Sequence, residues 1–126
     1  MTTILEHTNL TVSDPKATAA WMCDLFGWHI RWEGAAKDNG YTVHVGSDDS
    51  YLALYSPSGS PVSGPSTYGT IGGLNHIGLE VDDLDAMEAR VKAAGFTPTN
   101  HGDYEPGRRF YFNDSEGIEF ELVEYA

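Results

Sequence analysis

The chain opens with alternating apolar and polar positions. In residues 4–12, His7, Asn9 and Thr11 fall on one side, and the residues between them fall on the other. A period of two predicts a β-strand with one face toward a core.

A helix is predicted to follow this strand and to end at Gly27. Asp14 supplies a capping side chain, and Pro15 takes the first helical position, where its missing N–H costs nothing. The apolar stripe is predicted at i, i+4 and i+8, which are Ala17, Trp21 and Leu25. Strands at residues 29–32, 41–45 and 51–55 then complete a β-α-β-β-β module.

The same order of elements recurs in the second half of the chain. A strand at 74–81 leads to a helix capped by Asp82 or Asp83 and ended by Gly95. The helix stripe is Leu84, Met87, Val91 and Ala94. Further strands are predicted at 96–99, 109–113 and 118–125, with a turn at 114–117 in which Gly117 provides a positive φ.

The repetition predicts an α+β fold of two tandem β-α-β-β-β modules within one domain, residues 1–126. Module one is 1–56, a linker rich in Ser, Pro and Gly is 57–73, and module two is 74–126. An offset of 69 residues aligns the first strands, and an offset of 68 aligns the later elements. The aligned pairs are His7 with His76, Gly27 with Gly95, Val43 with Tyr111 and Ala53 with Glu121.

Composition narrows the classes of function. The net charge of −12 argues against nucleic acid and anionic membrane surfaces as partners, because both are bound mainly through Lys and Arg. No apolar run reaches the 18–20 or so residues of a membrane span, and the N-terminus has no signal-peptide pattern. A single cysteine, Cys23, fits a reducing, cytoplasmic location.

Two histidines at equivalent positions of a repeat indicate a metal site. His7, His76 and Glu121 form a set of two imidazoles and one carboxylate, with Ala53 unable to supply a fourth ligand. Three protein ligands leave coordination positions open, as a catalytic Zn, Ni, Mn, Co or Fe(II) requires. The alternative is that both histidines are partly buried and bond to backbone. His29, His44 and His101 are expected at the surface.

Polar residues on the same strand faces are candidates for a substrate pocket. They are Asn9, Glu80, Arg109, Tyr111, Asn113 and Glu119. The adjacent pair Arg108 and Arg109 is the best candidate to hold a substrate anion.

The paired modules, with His-x-x-Leu-x-Val-x-Asp at His7 and His76, resemble the vicinal oxygen chelate superfamily. This superfamily includes glyoxalases, bleomycin-resistance and fosfomycin-resistance proteins, and extradiol dioxygenases. The ending at residues 111–122 is similar to the superfamily's F-x-D-P-D-G-x-x-x-E-L, with Ser115 in place of proline. The resemblance implies curled, cup-shaped mixed sheets with helices outside, and it places the metal ligands at His7, His76 and Glu121.

By this resemblance the chain is expected to be a metal-dependent lyase or isomerase acting on a small substrate with vicinal oxygens. Glu121 would move the proton, with Glu119 or Glu80 as substitutes. The first alternative is a metal-free binding or resistance protein for a drug-like small molecule. The second alternative is a thiol transferase of the fosfomycin-resistance type or a dioxygenase. A homodimer is also implied, with the site built within one chain or across two.

Overall fold

A computed structural model describes residues 1–125 of the chain. It divides into two compact units, residues 1–63 and a second unit beginning at Gly64, a boundary that lies inside the predicted linker. Each unit has one helix and one four-stranded mixed sheet, which confirms the predicted α+β class with two tandem modules. Neither helix in this part of the chain is long and apolar enough to cross a membrane.

The first unit follows the predicted order of elements. Its elements are β1 (His7–Thr11), α1 (Pro15–Phe26), β2 (His29–Ala36), a short 3₁₀ turn (Lys37–Asn39), β3 (Gly40–Gly46) and β4 (Tyr51–Ser56). The strand order is β1-β4-β3-β2, with β1 parallel to β4 and the other pairs antiparallel.

The second unit repeats this topology. Its elements are β5 (Ile77–Glu80), α2 (Leu84–Ala93), β6 (Thr99–Tyr104), β7 (Gly107–Asn113) and β8 (Glu119–Tyr125). The order β5-β8-β7-β6, with β5 parallel to β8, matches the first sheet strand for strand.

The helix starts form as the sequence predicts. Asp14 accepts a hydrogen bond from the N–H of Ala17 at 3.1 Å, and Asp83 accepts one from Ala86 at 3.0 Å. Each side chain satisfies one of the N–H groups that a helix start leaves unpaired. Gly27 ends α1 in the left-handed conformation at φ 73°, which a side chain would disfavour.

The buried face of α1 differs from the predicted stripe. Ala17 is exposed and Trp21 is half-buried, so only Leu25 of the three predicted positions belongs to the buried face. The buried residues of α1 are Pro15, Thr18, Ala19, Met22 and Leu25. The second helix buries Leu84 and Val91 as predicted, whereas Met87 is half-buried and Ala94 is exposed.

Each helix covers one face of its own sheet. In the first unit Val43 and Val45 are fully buried, and in the second the buried sheet residues are Phe110, Phe112, Phe120 and Leu122. Strand alternation then directs the intervening residues to the opposite face. That opposite face carries Tyr111, Glu119 and Glu121 in the second unit, which are described below.

One predicted strand is displaced. Residues 96–99 were expected to form a strand, but β6 runs over Thr99–Tyr104. Phe96 instead stacks its ring on Phe112 with centroids 5.1 Å apart. The apolar residue after Gly95 therefore serves core packing, and strand pairing begins three residues later.

Candidate functional site

The second unit gathers His76 and three residues of its last two strands on the face away from α2. Tyr111 of β7 pairs directly with Glu121 of β8, and Glu119 lies two residues earlier on the same face. His76 immediately precedes β5, whose Gly78 pairs with Glu121. Because Phe120 and Leu122 are fully buried on the other side, the orientation of these polar residues is fixed by the core.

Glu121 has one oxygen held by donors and one facing the histidine. Its Oε2 accepts from Nη1 of Arg109 at 3.0 Å and from the hydroxyl of Tyr111 at 2.9 Å. Its Oε1 lies 3.4 Å from Nε2 of His76. Only 13% of the Glu121 side chain is exposed, and burial together with this carboxylate raises the pKa of Tyr111 to about 12. Tyr111 is therefore a neutral donor that helps to fix the carboxylate.

Arg108 and Arg109 do not act together, contrary to the sequence-based expectation. Arg109 pairs with Glu121 and stacks its guanidinium 4.5 Å from the ring centre of Tyr104. Arg108 points to the other face and binds Asp85 at 2.8 Å. Alternation along β7 separates the two charges, so the pair cannot form one anion-binding patch.

The other ring nitrogen of His76 faces a second polar pair. Its Nδ1 lies 3.6 Å from Oε1 of Glu119 and 3.5 Å from the hydroxyl of Tyr68. Tyr68 donates a short hydrogen bond to Glu119, and this bond is the main reason that the pKa of Tyr68 is raised. No sequence pattern pointed to Tyr68, because it lies in the irregular segment interpreted as a linker.

The first unit places His7 in a row of rings that crosses its sheet. His7 stacks on Tyr51 of β4 at 4.8 Å, Tyr51 stacks on His44 of β3 at 4.6 Å, and His44 contacts Trp32 of β2 at 5.2 Å. Each of the four strands contributes one ring. Nδ1 of His7 also lies 2.9 Å from Oε1 of Glu6, and 43% of the His7 side chain is exposed.

His44 is the residue that sequence alignment misplaced. Val43 was aligned with Tyr111, but His44 pairs with Ala53 as Tyr111 pairs with Glu121. His44 is therefore half-buried on the candidate face rather than at the surface, and burial lowers its pKa. The other two histidines, His29 and His101, are more than half exposed, as predicted.

The remaining predicted pocket residues lie on the expected faces. Asn9 pairs with Ala53, Glu80 pairs with Val123 next to Glu121, and Asn113 pairs with Glu119. All three of the predicted residues are exposed.

The pair His76 and Glu121 fits a metal ion. Two donors bound at about 2.1 Å to a tetrahedral ion are about 3.4 Å apart, which is the separation of His76 Nε2 and Glu121 Oε1. Donors from Arg109 and Tyr111 on the far oxygen are the outer hydrogen bonds that orient ligating carboxylates. Within residues 1–125, however, no three His, Cys, Asp or Glu side chains are grouped as a metal site.

A mixed four-stranded sheet with one covering helix, present twice, defines a two-module α+β protein with a polar face in each module. Comparison with known proteins identifies its class: the sequence profile of the Glyoxalase/Bleomycin resistance protein/Dioxygenase superfamily matches residues 4–122. The chain belongs to this superfamily.

Individual relatives have several functions. An ethylmalonyl-CoA/methylmalonyl-CoA epimerase of Cereibacter sphaeroides is 30% identical over 106 residues, covering 82% of this chain and 79% of the epimerase. A glyoxylase/bleomycin resistance protein/dioxygenase domain from Frankia sp. EAN1pec has a TM-score of 0.81 at 21% identity, with full coverage of both chains.

The chain is also similar to the fosfomycin resistance protein FosX of Listeria monocytogenes, with a TM-score of 0.74 and 23% identity, covering 98% of this chain and 93% of FosX. That structure is of a FosX mutant complexed with Mn(II) and a dihydroxypropylphosphonic acid. Similarity of this degree to FosX and to the Frankia domain establishes the shared fold.

Proposed function

We propose that this chain is a divalent-metal-dependent enzyme of the glyoxalase type, a lyase or isomerase that moves a proton in a small substrate with neighbouring oxygens. The observation that carries the proposal is the environment of Glu121. One oxygen is fixed by Arg109 and Tyr111, and the other faces a ring nitrogen of His76. Such an arrangement presents a carboxylate oxygen and an imidazole nitrogen together to a cation or substrate.

The proposed ligands are His76 through Nε2, Glu121 through Oε1, and His7. Ala53 stands where a fourth carboxylate would be, because it pairs with Asn9 as Glu121 pairs with Gly78. Three ligands leave positions open for two substrate oxygens. A divalent ion held there would act as a Lewis acid that favours negative charge on a substrate oxygen.

The proposed proton carrier is Glu121, with Glu119 and Glu80 as substitutes. Arg109 and Tyr111 hold Glu121 Oε2, so Oε1 would have to leave the metal transiently in order to take up the proton. Epimerisation at a carbon next to a thioester carbonyl is a proton transfer of this class, and the similarity to the Cereibacter sphaeroides epimerase supports this choice.

Metal analysis of the purified full chain tests the ligand set. After incubation with Mn(II), Zn(II), Ni(II), Co(II) or Fe(II) and removal of the excess, we expect one ion per chain in the wild type. His76→Ala and Glu121→Gln should lose it. His29→Ala is the matched control, because that histidine is more than half exposed and pairs only loosely with Asp48 at 3.4 Å. Absence of bound metal from the wild type after all five ions would contradict the proposal.

Deuterium exchange tests the reaction class. The metal-loaded protein is incubated in D₂O with a panel of 2-substituted acyl thioesters, α-hydroxy ketones and 2-oxoaldehyde adducts, and exchange at carbon is followed by proton NMR. We expect exchange with at least one class, abolished in Glu121→Gln. Metal binding without exchange in any of the three classes of compound would contradict the proposed proton transfer, although the metal site would stand.

A metal-free binding protein is the second candidate, and the row of rings in the first unit favours it. His7, Tyr51, His44 and Trp32 place one ring on each strand, and flat aromatic molecules stack well on such surfaces. Under this alternative no metal is retained, and Trp32→Ala weakens binding of planar compounds measured by calorimetry.

We also propose that the chain forms a homodimer. Large apolar side chains are exposed before β1 and in the segment before β5, and such residues favour association. They are Ile4, Leu5, Val62, Ile71 and Leu74. Light scattering after size-exclusion chromatography should give twice the chain mass; the mass of one chain would contradict this.

A further inference from the structure

The segment between the two sheets contains a folded turn rather than an extended connection. The hydroxyl of Thr70 donates to the carbonyl of Ser66 at 3.0 Å, and the N–H of Gly73 donates to the carbonyl of Thr70 at 2.9 Å. A Cβ on Gly73 would lie 2.4 Å from the carbonyl oxygen of Thr67, so this close approach requires glycine. The turn holds Tyr68 in a defined place within the second unit.

Tyr68 joins this turn to the candidate site. Its hydroxyl donates to Oε1 of Glu119 and lies 3.5 Å from Nδ1 of His76. The same Glu119 oxygen lies 3.6 Å from Nδ1. The three polar atoms therefore form a compact group on the side of the imidazole opposite Glu121.

The number of protons in this group determines the tautomer of His76. A neutral tyrosine has one proton, and Tyr68 uses it in the bond to Glu119. Both oxygens that face Nδ1 are then acceptors, and the Tyr68 hydroxyl is within hydrogen-bond reach of that nitrogen at 3.5 Å. Oε1 of Glu121 is a competing acceptor at 3.4 Å from Nε2, so the neutral ring has two acceptors for a proton on Nδ1 and one for a proton on Nε2. With the proton on Nδ1, the lone pair of Nε2 is available to a cation held together with Glu121.

We propose that Tyr68 is a positioning residue that acts with Glu119 to hold the His76 proton on Nδ1 and to present Nε2 as a ligand. The inference rests on the proposed function in that it assigns Nε2 to a metal. A histidine whose second nitrogen donates to an acceptor is oriented and made a stronger ligand, and loss of such a partner costs about 10–100-fold in metal affinity.

Metal affinity is the first test. Mn(II) is titrated calorimetrically into metal-stripped full-length protein as wild type, Tyr68→Phe, Glu119→Gln and the double variant. We expect Tyr68→Phe to weaken binding about tenfold, and the double variant to lose less than the product of the two single losses, because both groups act on one nitrogen. Tyr125→Phe is the matched control, since this exposed tyrosine lies at the end of β8, outside the cluster, and should bind as the wild type does.

The tautomer of His76 is the second test and needs no metal. Nitrogen-15 shifts of the His76 ring are measured in metal-free protein at a pH where the ring is neutral. We expect the wild type to favour the Nδ1–H form, and Tyr68→Phe and Glu119→Gln to shift the ring toward Nε2–H. A merely structural role of Tyr68 would not move this ratio, and far-UV circular dichroism verifies that each variant is folded.

The outcomes separate the inference from the proposed function. Where the wild type binds Mn(II), both affinity and tautomer ratio must change in Tyr68→Phe. If either stays at the wild-type value, the inference is overturned although the metal site stands. Where the wild type binds no Mn(II), the metal role fails, and the tautomer ratio alone decides whether Tyr68 sets the ring state.

Discussion

The turn between β7 and β8 should depend on the buried carboxylate of Asp114. Its Oδ1 accepts from the N–H groups of Glu116 and Ile118, each at 2.9 Å, and only 7% of the residue is exposed. Replacement by alanine removes the acceptor and leaves both N–H groups without it. We expect Asp114→Ala to destabilise the second unit and to loosen the alignment of Tyr111 with the site.

The magnitude follows from the two lost hydrogen bonds. A buried donor left unsatisfied costs about 1–3 kcal/mol. Ile118 is half-buried, so its N–H should incur most of this cost, whereas Glu116 is exposed and water can replace its partner. The expected loss is about 2 kcal/mol in the free energy of unfolding. With a urea dependence of about 2 kcal/mol per molar, the midpoint should fall by about 1 M.

Urea unfolding followed by far-UV circular dichroism measures this loss. Tryptophan fluorescence is the internal comparison, because Trp21, Trp28 and Trp32 all belong to the first unit and none lies in the second. Asp114→Asn is the control variant, since its amide oxygen can still accept both bonds. A loss under about 0.5 kcal/mol in Asp114→Ala, or equal losses in both variants, would refute the reasoning.

The pH dependence of the same variants gives an independent check. Burial raises the pKa of Asp114 above its ordinary value of 3.8, despite the backbone donors that favour the charged form. The folded state therefore takes up a proton at higher pH than the unfolded state. Stability from this group rises as pH falls through the raised pKa toward 3.8, and this part of the profile should be missing in Asp114→Asn.

Three further predictions concern other parts of the chain. Tyr111→Phe should remove the tyrosine that ionises near pH 12 from an ultraviolet titration, and persistence of that step would exclude Tyr111 as its source. The hydrogen bond from His101 lowers the pKa of Glu88, so this pair should stabilise the fold above about pH 4.5 and lose that effect as pH falls through the lowered pKa. In His101→Ala, the fall of the urea midpoint over this acid range should be smaller than in the wild type, and an equal fall would contradict the prediction. Gly34→Ala places a Cβ 2.9 Å from the indole of Trp32, so the indole must shift and the near-ultraviolet circular dichroism of the variant should differ from that of the wild type. An unchanged spectrum would contradict this contact.

The periodic features of the sequence predicted the fold. Strand alternation, the Asp14 and Asp83 caps, the helix end at Gly27 and the positive φ of Gly117 were predicted, and all are present in the structure. The caps and turns follow from local sequence because hydrogen bonds within a few residues stabilise them. Strand alternation follows from the sequence because one face of each sheet is buried.

Register between strands was harder to predict because it depends on turn length. Nine positions separate His44 from its partner Ala53, whereas ten separate Tyr111 from Glu121. A single alignment offset cannot accommodate the extra residue in the turn at Asp114, and a shift of one residue moves a side chain to the other face. His44 was misplaced for this reason.

Contacts made by irregular segments lay beyond sequence reasoning. Tyr68 has no periodic neighbours, and its approach to Glu119 is set by the turn around Thr70. Arg108 was likewise grouped with Arg109 by adjacency, although alternation along a strand separates neighbours. The predicted roles of His7, His76 and Glu121 as ligands of one metal stay a prediction.

Within each unit, the first strand pairs in parallel with the last strand, so each sheet is complete in its own half of the chain. In residues 1–125, β1 closes against β4 and β5 closes against β8, so no strand ladder crosses from one unit to the other. Cutting the backbone between Ser63 and Gly64 would break no sheet. Two separately expressed halves would keep every backbone ladder described for residues 1–125, so no hydrogen bond between strands ties the sheet of one half to that of the other.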